Sequence, residues 1–253
     1  MKLPSRFEDA LYWTRQGWRV SRFLGQSMLG NVLLGRRPSE EIRESLPSTK
    51  EVLADLLRLF ERDRANLREG VYRLPERDPL DHPIEFARST FGVFRDLARV
   101  ATRQREKRVQ DLPEDVHTGQ FPRYYTQNFH FQTDGYLSEA SAELYDHQVE
   151  MVFAGGADAM RRQTFPWIRR WLDERGYVPG GEKVFHLLDV PCGTGRYLNF
   201  LKTNLPDLHV TGLDISPFYL KRARATLASF PRADFVEANS ESMPLRDDHF
   251  DVV

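Results

Sequence analysis

The stretch that decides the fold is Leu187-Leu188-Asp189-Val190-Pro191-Cys192-Gly193-Thr194-Gly195. It lies in a nearly continuous apolar run from Val184 to Val190, as expected of a strand covered on both faces. The run breaks at a glycine-containing turn, and a helix is predicted from Arg196 to Lys202. Gly193 and Gly195 lack a Cβ, so the backbone there can take unusual φ angles and leave room for a ligand. The helix beyond presents free N–H groups and a partial positive charge, which suits a carboxylate or a phosphate.

Moving toward the C-terminus, a strand is predicted from Leu208 to Asp214 and a helix opens at Ser216-Pro217 with a cap-then-proline signature. A third strand spans Ala233 to Glu237, and the terminal Phe250-Asp251-Val252-Val253 reads as the opening of a fourth. Strand, helix, strand, helix, strand at these spacings is a βαβαβ unit with a parallel sheet and right-handed crossovers. Ligands of such sheets sit at the carboxyl ends of the strands. There Asp214 can accept hydrogen bonds from both ribose hydroxyls of an adenosine ligand, with the loop Glu237 to Glu241 beside the adenine. The three loops describe a nucleoside-bearing cofactor. A dinucleotide fingerprint needs a third glycine where Leu198 stands, and the G-x-x-x-x-G-K-[ST] phosphate loop is absent.

The string Leu187 to Gly195 resembles motif I of the class I S-adenosylmethionine-dependent methyltransferases. Val210-Thr211-Gly212-Leu213-Asp214-Ile215-Ser216-Pro217 resembles their second-strand motif, and Glu237 to Leu245 with His249 to Val253 their third-strand loop and fourth-strand start. The nearest flavour is the small-molecule branch that includes the ubiquinone/menaquinone-type enzymes. The resemblance covers Val184 to Val253 and implies a Rossmann-like three-layer α/β sandwich, of which this chain carries the N-terminal half of the sheet. It implies S-adenosyl-L-methionine as cofactor, with Asp189 and the backbone of Gly193 and Gly195 holding the methionine moiety. Pro191, Cys192 and Thr194 complete that turn, Asp214 takes the ribose, Ile215 packs on the adenine, and Asn239 and Ser240 meet the adenine edge. Two departures stand out: Pro191 replaces the usual first glycine, and Asn239 replaces a frequent aspartate, though an amide can still both donate and accept. The resemblance also implies strands beyond the fourth, so the chain is expected to be truncated at Val253.

Before this region, residues 1–118 read as helices and loops. An amphipathic helix is predicted from Glu51 to Leu67, and another after His82-Pro83 with the stripe Phe86, Val93, Phe94, Leu97, Ala98 and Ala101. The second runs into a basic end, Arg103 to Arg108, and is either a packed helix or one that meets a membrane surface or partner. Pro4, Pro38 and Pro47 are expected to divide the earliest region into short pieces. Residues 119–181 form a predicted aromatic-rich helical cap, with helices from Ser138 to Phe153 and from Asp158 to Arg175; residues 182–253 are the methyltransferase part. In the cap, Tyr124, Tyr125, Phe129, Phe131 and Tyr136 are the candidates to line an acceptor pocket, and His130 the candidate general base. Arg161 and Arg162 read as a solvated helix face or as partners of the cofactor carboxylate, and His186 as a core histidine.

Composition narrows the classes. The chain has 253 residues with 36 basic and 37 acidic side chains, so no global field draws it to nucleic acid. One cysteine, Cys192, excludes an internal disulfide and fits a cytoplasmic setting. The histidines show no metal-ligand spacing, and no metal is expected. Methyl transfer to a small-molecule acceptor is the leading function. A nucleotide-dependent oxidoreductase and a non-enzymatic adaptor with a relic fold are the alternatives.

Overall fold

The computed structural model describes residues 5–35, 45–75, 78–106, 112, 118–128 and 134–253. The chain divides into two compact units, one of residues 1–72 with 148–164 and one of residues 73–147 with 165–253. The helical segments of the sequence are thus shared between the two rather than collected in one.

The first unit is built on α1 (Ser5–Leu33) and α2 (Thr49–Arg68). α1 corrects the expectation of short pieces. No proline falls within Ser5 to Leu33, Pro47 precedes α2, and Pro4 and Pro38 lie outside the described residues. α2 starts on a capping box in which the Ser48 hydroxyl accepts from the Glu51 amide while the Glu51 carboxylate accepts from the Ser48 amide. Tyr12, Leu56, Phe60, Ala154 and Ala159 form the core of this unit. Ala159 comes from the short α5 (Ala157–Arg162). The turn before α5 packs closely, since a Cβ on Gly155 would lie 3.0 Å from the Arg19 carbonyl carbon.

A charged cluster sits inside that core. Asp63 is fully buried and receives both a bidentate pair from Arg162, at 2.7 Å each, and the hydroxyls of Tyr12 (2.8 Å) and Tyr72 (2.5 Å). Burial first, and then the Asp63 charge, push both phenols above their ordinary pKa. Arg162 is therefore neither a solvated residue nor a cofactor ligand; it is committed to Asp63, and Arg161 pairs with Asp158 at 3.0 Å.

In the second unit, α3 (Pro83–Arg105) buries Val93, Leu97 and Val100, while Phe86 stacks on His147 at 5.2 Å. Of the predicted stripe, Val93 and Leu97 are buried and Phe86, Phe94 and Ala101 half-buried, while Phe91 beside it is exposed; the side chains of Ala98 and of most of the basic end lie outside the described residues. The single helix expected from Asp158 to Arg175 is interrupted at Gln163-Thr164, and α6 (Phe165–Glu174) restarts with Pro166 in its first turn, where a proline is tolerated. Between these lies α4 (Glu139–Val152), whose residues 139–147 belong to this unit.

The sheet holds β1 (His186–Asp189), β2 (His209–Asp214) and β3 (Ala233–Glu237), all parallel in the order β1-β2-β3. α7 (Arg196–Asn204) and α8 (Pro217–Thr226) make the two crossovers. Register places Asp189 opposite Gly212 and Asp214 opposite Glu237. Leu187 also bridges Val252 in parallel on the other edge of β1. The chain therefore leaves β1 toward β2 and β3 and returns on its far side, so β1 borders a topological switch point. Leu198, Leu201, Leu205, Leu208 and Val210 are buried where α7 covers the sheet, and Leu213 is buried on the opposite face of β2. Lys202 is buried there with its ammonium donating to the Pro206 and Leu208 carbonyls at 2.6 and 2.7 Å, and burial pulls its pKa down to about 8.

His186 is not a core residue. It starts β1 at the open lower end of the sheet, half-exposed, with its ring 4.6 Å from that of His209 and 5.1 Å from that of His249. Among the described residues no helix is long and apolar enough to cross a membrane, and no group of three or more His, Cys, Asp or Glu side chains could hold a metal ion.

Truncating Asp63→Ala would leave the Arg162 guanidinium buried without its partner. The expected loss is about 3–5 kcal/mol in urea denaturation. A loss below about 1 kcal/mol would show that the cluster does not hold the helical unit together.

Candidate cofactor site

The turn after β1 takes the shape its glycines permit, with φ of +53° at Gly193 and +73° at Gly195. The two glycines serve different ends. A Cβ on Gly195 would lie 2.9 Å from Leu227 and 3.0 Å from Ala223, so this residue lets α8 pack against the turn. A Cβ on Gly193 would meet Tyr145 alone within 4 Å, at an ordinary van der Waals distance of 3.7 Å, so its positive φ and not close packing calls for glycine there. Gly212 on β2 belongs to the same packing, since a Cβ would lie 2.8 Å from Cys192 Sγ and 2.9 Å from Leu198.

Asp214 ends β2 almost entirely buried. One carboxylate oxygen accepts from the Gly193 amide at 2.9 Å and the other from the Ser216 amide at 2.9 Å. Burial raises its pKa, and these backbone donors oppose that rise. The Ile215 amide is a third backbone donor to this carboxylate, whose remaining acceptor capacity faces the end of the sheet where the resemblance places the ribose. The third loop is tied in by Ala238, whose amide donates to the Asp214 carbonyl at 3.1 Å. Asp189, Pro191, Cys192, Thr194, Asp214, Ile215, Asn239 and Ser240 thus gather at one end of the sheet, with the glycines between them. Asn239 spends its side chain locally: its carbonyl accepts from the Glu241 amide at 3.0 Å and its NH₂ donates to the Glu241 carboxylate at 3.3 Å.

The aromatic segment is divided. Tyr125 and Tyr136 join a cluster with Tyr145 of α4 and Tyr219 of α8, with ring centroids 5.0–6.4 Å apart. Tyr125 hydrogen-bonds Ser216, and burial and then the Asp214 charge raise its pKa, so this cluster abuts the Asp214 carboxylate. Ser216 also donates to the Tyr136 carbonyl at 2.6 Å, and Ser141 shares a 3.0 Å bond with Tyr219. Tyr124 points to solvent instead. Phe129, His130 and Phe131 lie outside the described residues.

Sequence reasoning missed Tyr145, Tyr219 and Asp146. The Thr194 hydroxyl, almost fully buried, donates to the Asp146 carboxylate at 2.9 and 3.0 Å. No local signal in α4 marks Asp146, because its partner lies far along the chain. Tyr219 was readable only as a residue of the α8 first turn, where its amide donates to the capping Ser216 hydroxyl at 3.4 Å.

Cys192 is a packing residue of the turn. It is buried against Gly212, and burial, then the Asp214 and Asp189 charges, push its thiol well above the ordinary thiol range. A raised pKa keeps the thiol protonated as pH climbs past about 8.5, where a free cysteine is half ionised. Iodoacetamide at pH 8 should therefore alkylate the native chain at least about tenfold more slowly than the unfolded chain. Fast native alkylation would mean an accessible thiolate at this turn.

Comparison with known proteins agrees with the geometry. Residues 187–253 match a family model described as a methyltransferase domain. The chain is 31% identical over 121 residues to a demethylmenaquinone methyltransferase of Symbiobacterium thermophilum, covering 46% of this chain and 44% of that protein. It is 42% identical over 76 residues to a ubiquinone/menaquinone biosynthesis C-methyltransferase of Methylobacterium nodulans, covering 29% of this chain and 30% of that protein. A malonyl-[acyl-carrier protein] O-methyltransferase of Ilyobacter polytropus is 30% identical over 66 residues, covering 26% of this chain and 25% of that protein. The chain thus spans less than half the length of these curated relatives. No solved structure matches it significantly. With its parallel strands and its glycine turn, the segment 187–253 matches methyltransferase domains of the class I S-adenosylmethionine-dependent type.

Proposed function

We propose that this chain binds S-adenosyl-L-methionine at the ends of β1 to β3 and directs its methyl group to a small-molecule acceptor. The observation that carries the reading is the Asp214 carboxylate joined to the Gly193 amide at 2.9 Å, beside a turn in which no atom crowds the Cβ position of Gly193. When bound, the cofactor supplies an activated methyl group on a sulfonium centre. The protein then has to position and shield rather than activate. Asp214 orients the ribose, and Gly193 lets the main chain approach the ligand without a side chain in the way. Ile215 and the Asn239-Ser240 loop flank the place left for the adenine.

Charge supports this cofactor over a dinucleotide. S-adenosylmethionine carries a sulfonium and an ammonium against one carboxylate, whereas a pyrophosphate brings only negative charge. The turn is bordered by Asp214 and Asp146, and the nearby Arg196 is already bound to both oxygens of Asp78 at 2.9 Å. A pyrophosphate would face acids there with its nearest guanidinium neutralised.

On the acceptor side, the Tyr125–Tyr136–Tyr145–Tyr219 cluster offers apolar ring surface next to Asp214, which suits a flat acceptor. The relatives named for demethylmenaquinone and ubiquinone/menaquinone suggest a quinone-type ring as the acceptor class. His130 remains the candidate base. A cytoplasmic setting with no nucleic-acid partner fits the single buried cysteine and balanced charge, and transient membrane contact fits an apolar acceptor.

Calorimetric titration tests the reading. The chain should bind S-adenosylmethionine and should not bind NADH. Asp214→Asn, which removes the charge but keeps one acceptor oxygen, should weaken binding about tenfold or more, the range for hydrogen bonds to a charged group. Preference for NADH, or an unchanged affinity in the variant, would overturn it.

A further inference from the structure

We infer that the outer face of α3, from Ile84 to Arg99, is a docking surface for an anionic membrane. It rests on the acceptor reading above for the choice of partner, because an apolar ring dissolves in a bilayer. α3 turns Val93, Leu97 and Val100 into the protein, so one side of the helix is already committed to packing. The opposite side carries two rows at helical spacing. Ile84, Ala87 and Phe91 lie along one edge, and Arg88, Arg95 and Arg99 along the other. Each of these side chains is exposed, Ile84 at 74% and Phe91 at 69%.

Charge selects the partner. Among the described side chains exposed between Pro83 and Thr102, every charged one is an arginine; Glu85 is half-buried and Asp96 buried. Arg88 reaches Glu143 only at 3.9 Å, with both side chains exposed. Arg95 and Arg99 have no ion-pair partner among the described residues. The whole chain is close to neutral, so this positive row is a local feature. A row of guanidiniums without acids attracts phosphate groups, while the apolar row beside it gains only from a partner that also offers hydrocarbon. A bilayer with acidic headgroups presents both in one plane. Nucleic acid offers the phosphates but no hydrocarbon for Ile84. Ile84 to Arg99 spans about 22 Å of helix, so both rows can lie together along the headgroup layer.

α3 also sits where such docking serves the site. It packs on α4 through the Phe86–His147 stack at 5.2 Å and through Gly92, where a Cβ would lie 2.7 Å from Leu144 Cδ2. α4 carries Tyr145, whose ring stands 5.0 Å from that of Tyr219 in the tyrosine cluster beside Asp214. One helix therefore joins the docking surface to the proposed acceptor wall.

The test is co-sedimentation of the 253-residue chain with vesicles of equal parts phosphatidylcholine and phosphatidylglycerol, and with vesicles of phosphatidylcholine alone. Each arginine brought to an anionic surface strengthens binding about fivefold, so the parent should prefer the mixed vesicles and Arg95→Gln/Arg99→Gln should bind them about twenty-five-fold more weakly. Phe91→Ser should cost about tenfold through the lost ring. Arg62→Gln/Arg68→Gln removes the same charge from exposed positions of α2 and should bind as the parent does, because charges away from the contact are screened at physiological salt. Equal binding to the two vesicle compositions, an equal loss in both arginine variants, or full binding by any α3 variant would overturn the inference. So would failure of the parent to bind vesicles, and duplex RNA binding that is lost in the α3 arginine variant would then reassign the face to nucleic acid. Calorimetry with S-adenosylmethionine in the absence of vesicles separates the two readings, since every variant should bind it as the parent does. A chain that binds the cofactor but no vesicle loses only this surface, and one that binds vesicles but no cofactor loses only the cofactor reading.

Discussion

One buried carboxylate organises this end of the molecule. Asp214 accepts from Gly193 on one side and Ser216 on the other, so a single side chain fixes the loop after β1 to the loop after β2. Its own carbonyl takes the Ala238 amide, which adds the loop after β3. A carboxylate buried this deeply loses hydration, and the raised pKa records that cost. The backbone amides of Ser216, Gly193 and Ile215 offset part of it.

Around that carboxylate the packing is unusually dependent on small residues. Gly195 admits Ala223 and Leu227 of the α8 region, and Gly212 admits Cys192, Leu198 and Phe235. Cys192 therefore acts as a small apolar group, with its reactivity suppressed by the burial that makes it useful. The tyrosines then complete the wall, from Tyr125 at Ser216 to Tyr145 at Gly193. The helical unit has a separate logic. Its core encloses the Asp63–Arg162 pair and the Arg19–Glu150 pair, the latter at 3.1 Å, so its shape is specified by buried charges as well as by apolar contact.

Much of this was legible in the sequence, and the reasons differ by element. β3 spans Ala233 to Glu237 as predicted, and α7 and α8 start where the glycine turn and the Ser216-Pro217 cap place them, because those signals are local. Asp214 and the two glycines were equally readable, since their chemistry is dictated by position at a strand end. The length of α1 is not legible from the prolines, because none falls within Ser5 to Leu33. The break at Gln163-Thr164 was hidden inside a continuous helical pattern, with Pro166 as its one marker. Asp146 and Arg162 were not legible at all. Each owes its role to a partner far away in sequence, Thr194 in one case and Asp63 in the other, and no spacing rule reports such a pairing.

The central claim is that the three strand-end loops and the facing residues of α4 form one cofactor-binding surface. Amide hydrogen exchange of the chain with and without S-adenosylmethionine tests it most directly, because protection reports which backbone groups the ligand orders. The account predicts slowed exchange confined to residues 190–197, 214–217, 237–241 and the Ser141 to Asp146 stretch of α4, with no such change on adding NADH. Protection elsewhere in the chain, or the same pattern with NADH, would contradict it.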